Sequence, residues 1–338
     1  LISLAQTRKH WLSVGALAGL SVWIRPDGLT LLGPILFVAW LTTDGMKARL
    51  VSMARASAGF AILFLPYLTF NRLLAGTWWP NTFYAKQLEY ASLQQIPFLN
   101  RLASEAMLPL VGAGALLLPG FIIYLIHSSR KRDWPTLSGY LWLAGYIAIY
   151  AWRLPVTYQH GRYIFPVMPI YFFLGWLGFS IFNQKLSQGG WRWRVALAWK
   201  VSLVILMGAF WVNGGGAYGK DVAIIETEMV DTAQWIAGHT PVGSVIAAHD
   251  IGALGFYGNR KIIDLAGLIS PEVIPIIRDE AGLGAYLDRQ KVDYLMTFPD
   301  WYVSLGKGKP VVFKGQSHFS SDMGQANMEV YAWDQNQP

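Results

Sequence analysis

Residues Gly76–Lys86 read G-T-W-W-P-N-T-F-Y-A-K, and they mark the place where this chain changes character. An apolar run, Ala54–Asn71, comes before them. Two indoles follow, Trp78 and Trp79; an apolar ring with a polar N–H is at home at a bilayer–water interface. Pro80 stops a helix and sets the direction of what comes next. Asn81, Thr82, Tyr84 and Lys86 then place four hydrogen-bonding groups in one short segment. The stretch reads as a membrane-surface loop that presents Asn81, Tyr84 and Lys86 to a ligand. The competing reading is a plain interfacial anchor with a snorkelling lysine.

Composition agrees with a membrane setting. Of 338 residues, 54% are hydrophobic and 14% charged, against about 25% charged in a soluble domain. The 16 tryptophans fit interfacial belts. A net charge of +7 could serve nucleic acid, but the cations sit mostly in short loops between apolar runs, where membrane topology accounts for them. No nucleic-acid partner is expected. The absence of cysteine excludes disulfides and thiolate metal sites and leaves the compartment open. Leu1–Ala5 reads as the tail of an apolar segment, followed by Arg8 and Lys9, with no signal-peptide pattern. Further membrane helices are expected upstream.

A helix needs about 20 apolar residues to cross the hydrocarbon core. Candidates are Ala54–Asn71, Ala106–Ile126, Leu137–Arg153, Tyr163–Phe182 and Ala196–Asn213. Trp11–Trp40 is either one helix kinked at Pro26 or two short helices joined at Arg25-Pro26-Asp27-Gly28. Lys and Arg collect in cytoplasmic loops, and two early helices put Arg8/Lys9, Lys47/Arg49/Arg55, Arg130/Lys131/Arg132 and Lys185/Arg192/Arg194 all on one side. The expectation is therefore an α-helical polytopic membrane domain of about seven helices over residues 1–213. A small extracytoplasmic α/β domain follows over residues 214–338.

The two early runs are only about 13–14 residues each, roughly 20 Å of helix against a core of roughly 30 Å. The R-P-D-G turn should sit below the outer surface, where ions must face water, protein or a ligand. Arg25 and Asp27 either neutralise each other there or form a recessed floor for an anionic ligand. A second outer loop, L-P-V-T-Y-Q-H-G-R-Y, brings Tyr158, Gln159, His160, Arg162 and Tyr163 to a helix entrance. Guanidinium grips phosphate oxygens in bidentate fashion, so Arg162 with Lys86, His160 and the tyrosines makes a reasonable phosphate clamp; ordinary interfacial polarity is the alternative. Pro166 and Pro169 should kink the helix that follows. Gly214-Gly215-Gly216 reads as a hinge.

The tail alternates helical and strand-like segments. Strands are expected at Val245–Ala248, Ile262–Leu265, Tyr294–Thr297, Val311–Phe313 and Met328–Trp333. Helices are expected at Ile224–Gly238, Pro271–Asp279 and Leu283–Arg289. That pattern suggests a small α/β sandwich with a largely parallel sheet. The glycines at 252, 255 and 258 lack dinucleotide-site spacing, and Gly306-Lys307-Gly308-Lys309 lacks the P-loop pattern. His249, Asp250 and Asp264 end strands, where ligands gather in α/β sheets, although such residues more often cap turns.

W-I-R-P-D-G-L, W-P-N-T-F-Y-A-K and G-R-Y-I-F-P-V-M-P, in that order, resemble motifs of bacterial GT-C-type glycosyltransferases, integral membrane enzymes that use polyprenyl-phosphate sugars. The resemblance covers roughly Leu12–Phe182, and H-D-I-G-A-L-G-F-Y-G-N-R-K-I-I-D-L-A-G-L-I-S-P-E is similar to the extracytoplasmic domain of members of that group. It implies hexosyl or pentosyl transfer from a polyprenyl-phosphate-linked sugar to a glycan, lipid or protein acceptor at the outer face of the cell membrane. It also implies that the catalytic acid lies in a loop before Leu1, so no catalytic residue is assigned here. Arg162, Lys86 and Arg25 would neutralise the leaving phosphate, while His160, Tyr84, Asn81 and Tyr163 orient donor or acceptor. Asp27 would fix Arg25, with a divalent metal, Mg or Mn, as the alternative; no other cofactor is implied. The readings set against this are a transporter or flippase for a lipid-linked or anionic solute, and a membrane-anchored sensor with a ligand-binding α/β tail.

Overall fold

The computed structural model describes residues 10–186, 191–322, 324 and 326–333. Arg8, Lys9 and part of the 185–194 basic cluster lie outside the described residues. The chain divides into two compact units: Leu1–Trp79 with Ser92–Phe210, and Pro80–Ala91 with Trp211–Pro338.

The helices in order are α1 (Trp11–Ile24), α2 (Leu32–Thr42), α3 (Met46–Ala75), α4 (Asn81–Glu89), α5 (Phe98–Met107), α6 (Ala113–Lys131), α7 (Trp134–Arg153), α8 (Met168–Leu186) and α9 (Arg192–Ile224). All but α4 lie wholly or partly in the first unit. A 3-10 turn, Pro26–Leu31, joins α1 to α2, so the early apolar run is two helices, as charge counting suggests. Among the described residues, three helices are long and apolar enough to cross a membrane: α3, α6 and the continuous run Trp193–His239. The seven expected are therefore not all of that kind. α1 and α2 are only 14 and 11 residues long. α7 and α8 have the length, at 20 and 19 residues, but the tyrosines and tryptophans of α7 and the Asn183-Gln184-Lys185 end of α8 make them less apolar.

Packing in this unit relies on close backbone approach. α1 lies against α3 so tightly that a Cβ on Gly59 would run into the Leu12 carbonyl, and one on Gly15 into that of Ala56. Such contacts suit helices that associate in lipid, where dispersion and small residues replace the hydrophobic drive. Trp11, Val14, Ala18, Val22, Phe60 and Tyr67 form the core of that half. A second core gathers Leu117, Leu143, Tyr146, Ile147, Val167 and Tyr171.

Two expectations fail here. Gly214–Gly216 makes no hinge, because α9 runs unbroken through it, at a propensity cost of about 1 kcal/mol for each glycine. Pro166 and Pro169 kink nothing. Residues 162–167 are turns, and α8 starts at Met168, so Pro169 sits in the first turn, where its missing N–H has no partner to lose.

The second unit holds a five-stranded sheet in the order β2-β1-β3-β5-β4. After a π-helical turn, Ile225–Val230, come α10 (Asp231–His239), β1 (Val245–Ala248), α11 (Gly252–Tyr257), β2 (Lys261–Asp264), α12 (Glu280–Arg289), β3 (Tyr294–Thr297), α13 (Val303–Gly306), β4 (Val311–Lys314), α14 (His318–Asp322) and β5 (Glu329–Ala332). β1 pairs in parallel with β2 and β3, while β5 is antiparallel to both β3 and β4. The sheet is thus mixed rather than largely parallel. Alternation along each strand splits the core. Ala247, Ile263 and Leu295 pack with Leu283 and Leu287 of α12, whereas Ile246, Ala248 and Met296 pack with Ala233, Ile236 and Leu254 of α10 and α11.

Candidate functional site

In the first unit the site grows from Asp27. The 3-10 turn that Pro26 opens aims the Asp27 carboxylate at three side chains. Arg25 Nε lies 3.2 Å from each Asp27 oxygen and Nη2 lies 2.9 Å from Oδ2. Tyr150 donates its hydroxyl to Oδ2 at 2.9 Å, and Tyr146 donates to the same oxygen. The Tyr146 hydroxyl also lies 3.0 Å from the Tyr163 carbonyl. Thr30 Oγ1 donates to the Asp27 carbonyl at 2.7 Å and accepts from Trp142 Nε1 at 2.8 Å. The carboxylate therefore ties the turn to α7 and fixes the Arg25 guanidinium, whose side chain stays 45% exposed.

From there a row of rings leads to Arg162. Tyr146 stacks on Tyr150 at 4.8 Å, and Tyr150 lies 5.9 Å from Tyr163. The Arg162 guanidinium lies 5.0 Å from the centroid of the Tyr163 ring and donates to its hydroxyl at 3.1 Å. Among the described residues no carboxylate pairs with Arg162. The loop before it is strained: Gln159, His160 and Gly161 have φ of 58°, 56° and 65°. A left-handed residue other than glycine costs roughly 1–2 kcal/mol, and such outliers gather at functional sites. Arg25, Asp27, Arg162 and Tyr163 are thus brought together; His160 is exposed beside them.

Asn81, Tyr84 and Lys86 belong to the second unit, and the loop expected for them is a helix, α4. Pro80 precedes that helix in extended conformation, with φ −60° and ψ 149°, and starts it rather than preventing it. The helix docks on the loop after β2. Asn81 Nδ2 lies 3.4 Å from the Leu268 carbonyl, and a Cβ on Gly267 would be 3.7 Å from that of Ala85. Asp264 shapes that loop. Its carboxylate accepts the N–H groups of Ala266, Leu268 and Ile269 at 2.8, 2.6 and 2.9 Å, which makes it a turn organiser rather than a ligand.

One turn along α4, Lys86 pairs with Glu89 at 2.6 Å. The other Glu89 oxygen faces His249 Nε2 at 3.8 Å, beyond hydrogen-bond range. His249 Nδ1 lies 2.7 Å from the Tyr302 hydroxyl. A carboxylate facing Nε2 favours the proton there, so Tyr302 donates to Nδ1. Burial pushes the imidazole below its usual value and the neighbouring Asp250 carboxyl above its own. The ring of Trp301, 46% exposed, meets His249 edge-on at 5.0 Å. Tyr84 is half-buried against Phe83, with ring centroids 5.3 Å apart. Glu89, Tyr302 and Trp301 escape a sequence reading, although Glu89 stands one helical turn after Lys86. Tyr146 and Tyr150 also escape it, although two tyrosines at i and i+4 in an apolar helix are a signal.

Among the described residues no group of three or more His, Asp or Glu could hold a metal ion. A family of domains of unknown function, DUF8728, matches residues 221–331, within the second unit. No curated protein and no solved structure matches the chain.

Proposed function

We propose that this chain serves membrane-embedded glycosyl transfer, moving a hexose or pentose from a polyprenyl-phosphate donor to a cell-envelope glycan, lipid or protein. In this reading the chain crosses the membrane several times, with its α/β unit on the extracytoplasmic side. The observation that carries it is the pair of guanidiniums, Arg25 and Arg162, at the two ends of the Tyr150–Tyr163 ring row around Asp27. They lie in a unit that includes helices able to cross a membrane.

The chemistry follows from the donor. As the acceptor hydroxyl gives its proton to a base outside this stretch of chain and its oxygen attacks the anomeric carbon, the bond from that carbon to the phosphate oxygen breaks, and negative charge grows on the departing phosphate. Two guanidiniums stabilise that charge through charge-assisted contacts. Asp27 holds Arg25 in place so that no reorganisation is needed when the charge develops. Lys86, which belongs to the second unit, is not assigned to the phosphate.

The test is transfer of labelled sugar from a polyprenyl-phosphate donor in membranes holding the full-length protein. Arg162→Ala should lower the rate at least 100-fold with protein level unchanged. Undiminished transfer rejects the reading. A chain that only moved such a lipid across the bilayer would release no free polyprenyl phosphate in the same assay.

A further inference from the structure

The sheet of the second unit has a topological switch point between β1 and β3. β1 is followed by β2 on one side and, after a crossover, by β3 on the other. The connections that leave the carboxyl ends of β1 and β3 therefore diverge, and in open α/β sheets that divergence opens a ligand crevice. Here it is bridged by the hydrogen bond between His249, directly after β1, and Tyr302, shortly after β3. α4 brings Lys86 and Glu89 to the same edge. Trp301 stands beside it, largely exposed.

The chemistry of this edge selects its ligand. Glu89 and Asp250 accept hydrogen bonds, while Lys86 and the Nε2–H of His249 donate them. The Lys86 ammonium is paired with a carboxylate and a second acid, Asp250, stands near, so an anion such as a nucleotide phosphate would meet repulsion. His249 and Asp250 directly follow β1, and the glycines at 252, 255 and 258 lack phosphate-site spacing. An exposed indole beside mixed donors and acceptors suits an uncharged ring with an apolar C–H face and several hydroxyls. The indole covers the C–H face, and the carboxylates take hydroxyl protons.

We infer that the crevice formed by Glu89, His249, Asp250, Trp301 and Tyr302 binds a neutral sugar residue. Assigning that sugar to the acceptor rests on the transferase reading; the binding itself does not.

Saturation-transfer NMR on the full chain in detergent tests this, with methyl α-mannoside and methyl arabinofuranoside as probes and inorganic phosphate as the anionic control. Binding is expected to at least one glycoside, with transfer strongest at the ring C–H protons. Trp301→Ala and Glu89→Gln should each weaken it tenfold or more. Phe256→Ala, at an exposed ring that contacts Tyr257, should leave it unchanged. Trp301 is exposed, so its variant should fold, and an unchanged thermal midpoint verifies that. Absence of glycoside binding, insensitivity to both substitutions, or displacement by phosphate would overturn the inference. Sugar binding without any transfer activity would leave the crevice standing and remove the transferase reading; transfer without sugar binding would do the reverse.

Discussion

Removing the Asp27 carboxylate should cost stability in a way that can be apportioned partner by partner. Tyr150 donates to Oδ2 at 2.9 Å, and a hydrogen bond to a charged acceptor contributes about 1.5–3 kcal/mol. Tyr146 loses less, because the Tyr163 carbonyl remains 3.0 Å away to receive its hydroxyl. Arg25, with a side chain 45% exposed, passes to water, so its lost ion pair adds under about 1 kcal/mol. Asp27→Ala should thus cost about 2–4 kcal/mol and Tyr150→Phe about 1–2 kcal/mol. Together they should cost less than the sum by about 1–2 kcal/mol, because they remove the same contact. Asp27→Asn keeps an oxygen acceptor and should fall between wild type and Ala. Equilibrium unfolding in mixed micelles of the four proteins gives the coupling. Additivity within about 0.5 kcal/mol, the level seen for independent sites, would mean that the two residues do not interact and that the ring row is not anchored on Asp27.

Other expected outcomes concern separate parts of the chain. Glu105 on α5 is fully buried, neither of its oxygens has a hydrogen-bond partner, and desolvation raises its pKa to about 7. The folded value lies above the unfolded one, so stability is greatest in acid and is lost as pH rises from about 4.5 through 7. Glu105→Gln should abolish that slope and gain on the order of 3 kcal/mol at pH 8; an unchanged pH profile of unfolding would refute this. Gly267 has φ +72°, and a Cβ there would lie 2.8 Å from Ile274 Cγ1. Gly267→Val should therefore loosen the loop that carries α4, read as faster proteolysis at residues 80–91, whereas a wild-type cleavage pattern would deny that docking.

Much of the α/β unit is legible in the sequence because its strands are short buried runs. β1 and β3 fall where the short apolar runs put them, and β2 and β5 differ from expectation by one residue at each end. The antiparallel edge is not legible, since direction depends on which neighbour each strand finds. α4 is hidden for a related reason. Asn81, Ala85 and Glu89 form a helical stripe, but it spans only nine residues, and its support comes from Gly267 and Leu268 far along the chain. Arg25, Asp27, Arg162 and Tyr163 are visible as polar residues at helix ends. What joins them, Tyr146 and Tyr150, lies inside an expected span and reads there as filler.

The central claim, that Arg25 and Arg162 hold a lipid phosphate, is tested most directly by the affinity of the full-length protein in nanodiscs for a sugar-free polyprenyl phosphate. Each of Arg25→Ala and Arg162→Ala should weaken binding about tenfold to a hundredfold, the loss of one charge-assisted contact of about 1.5–3 kcal/mol. Affinities within twofold of wild type for both variants would contradict the account.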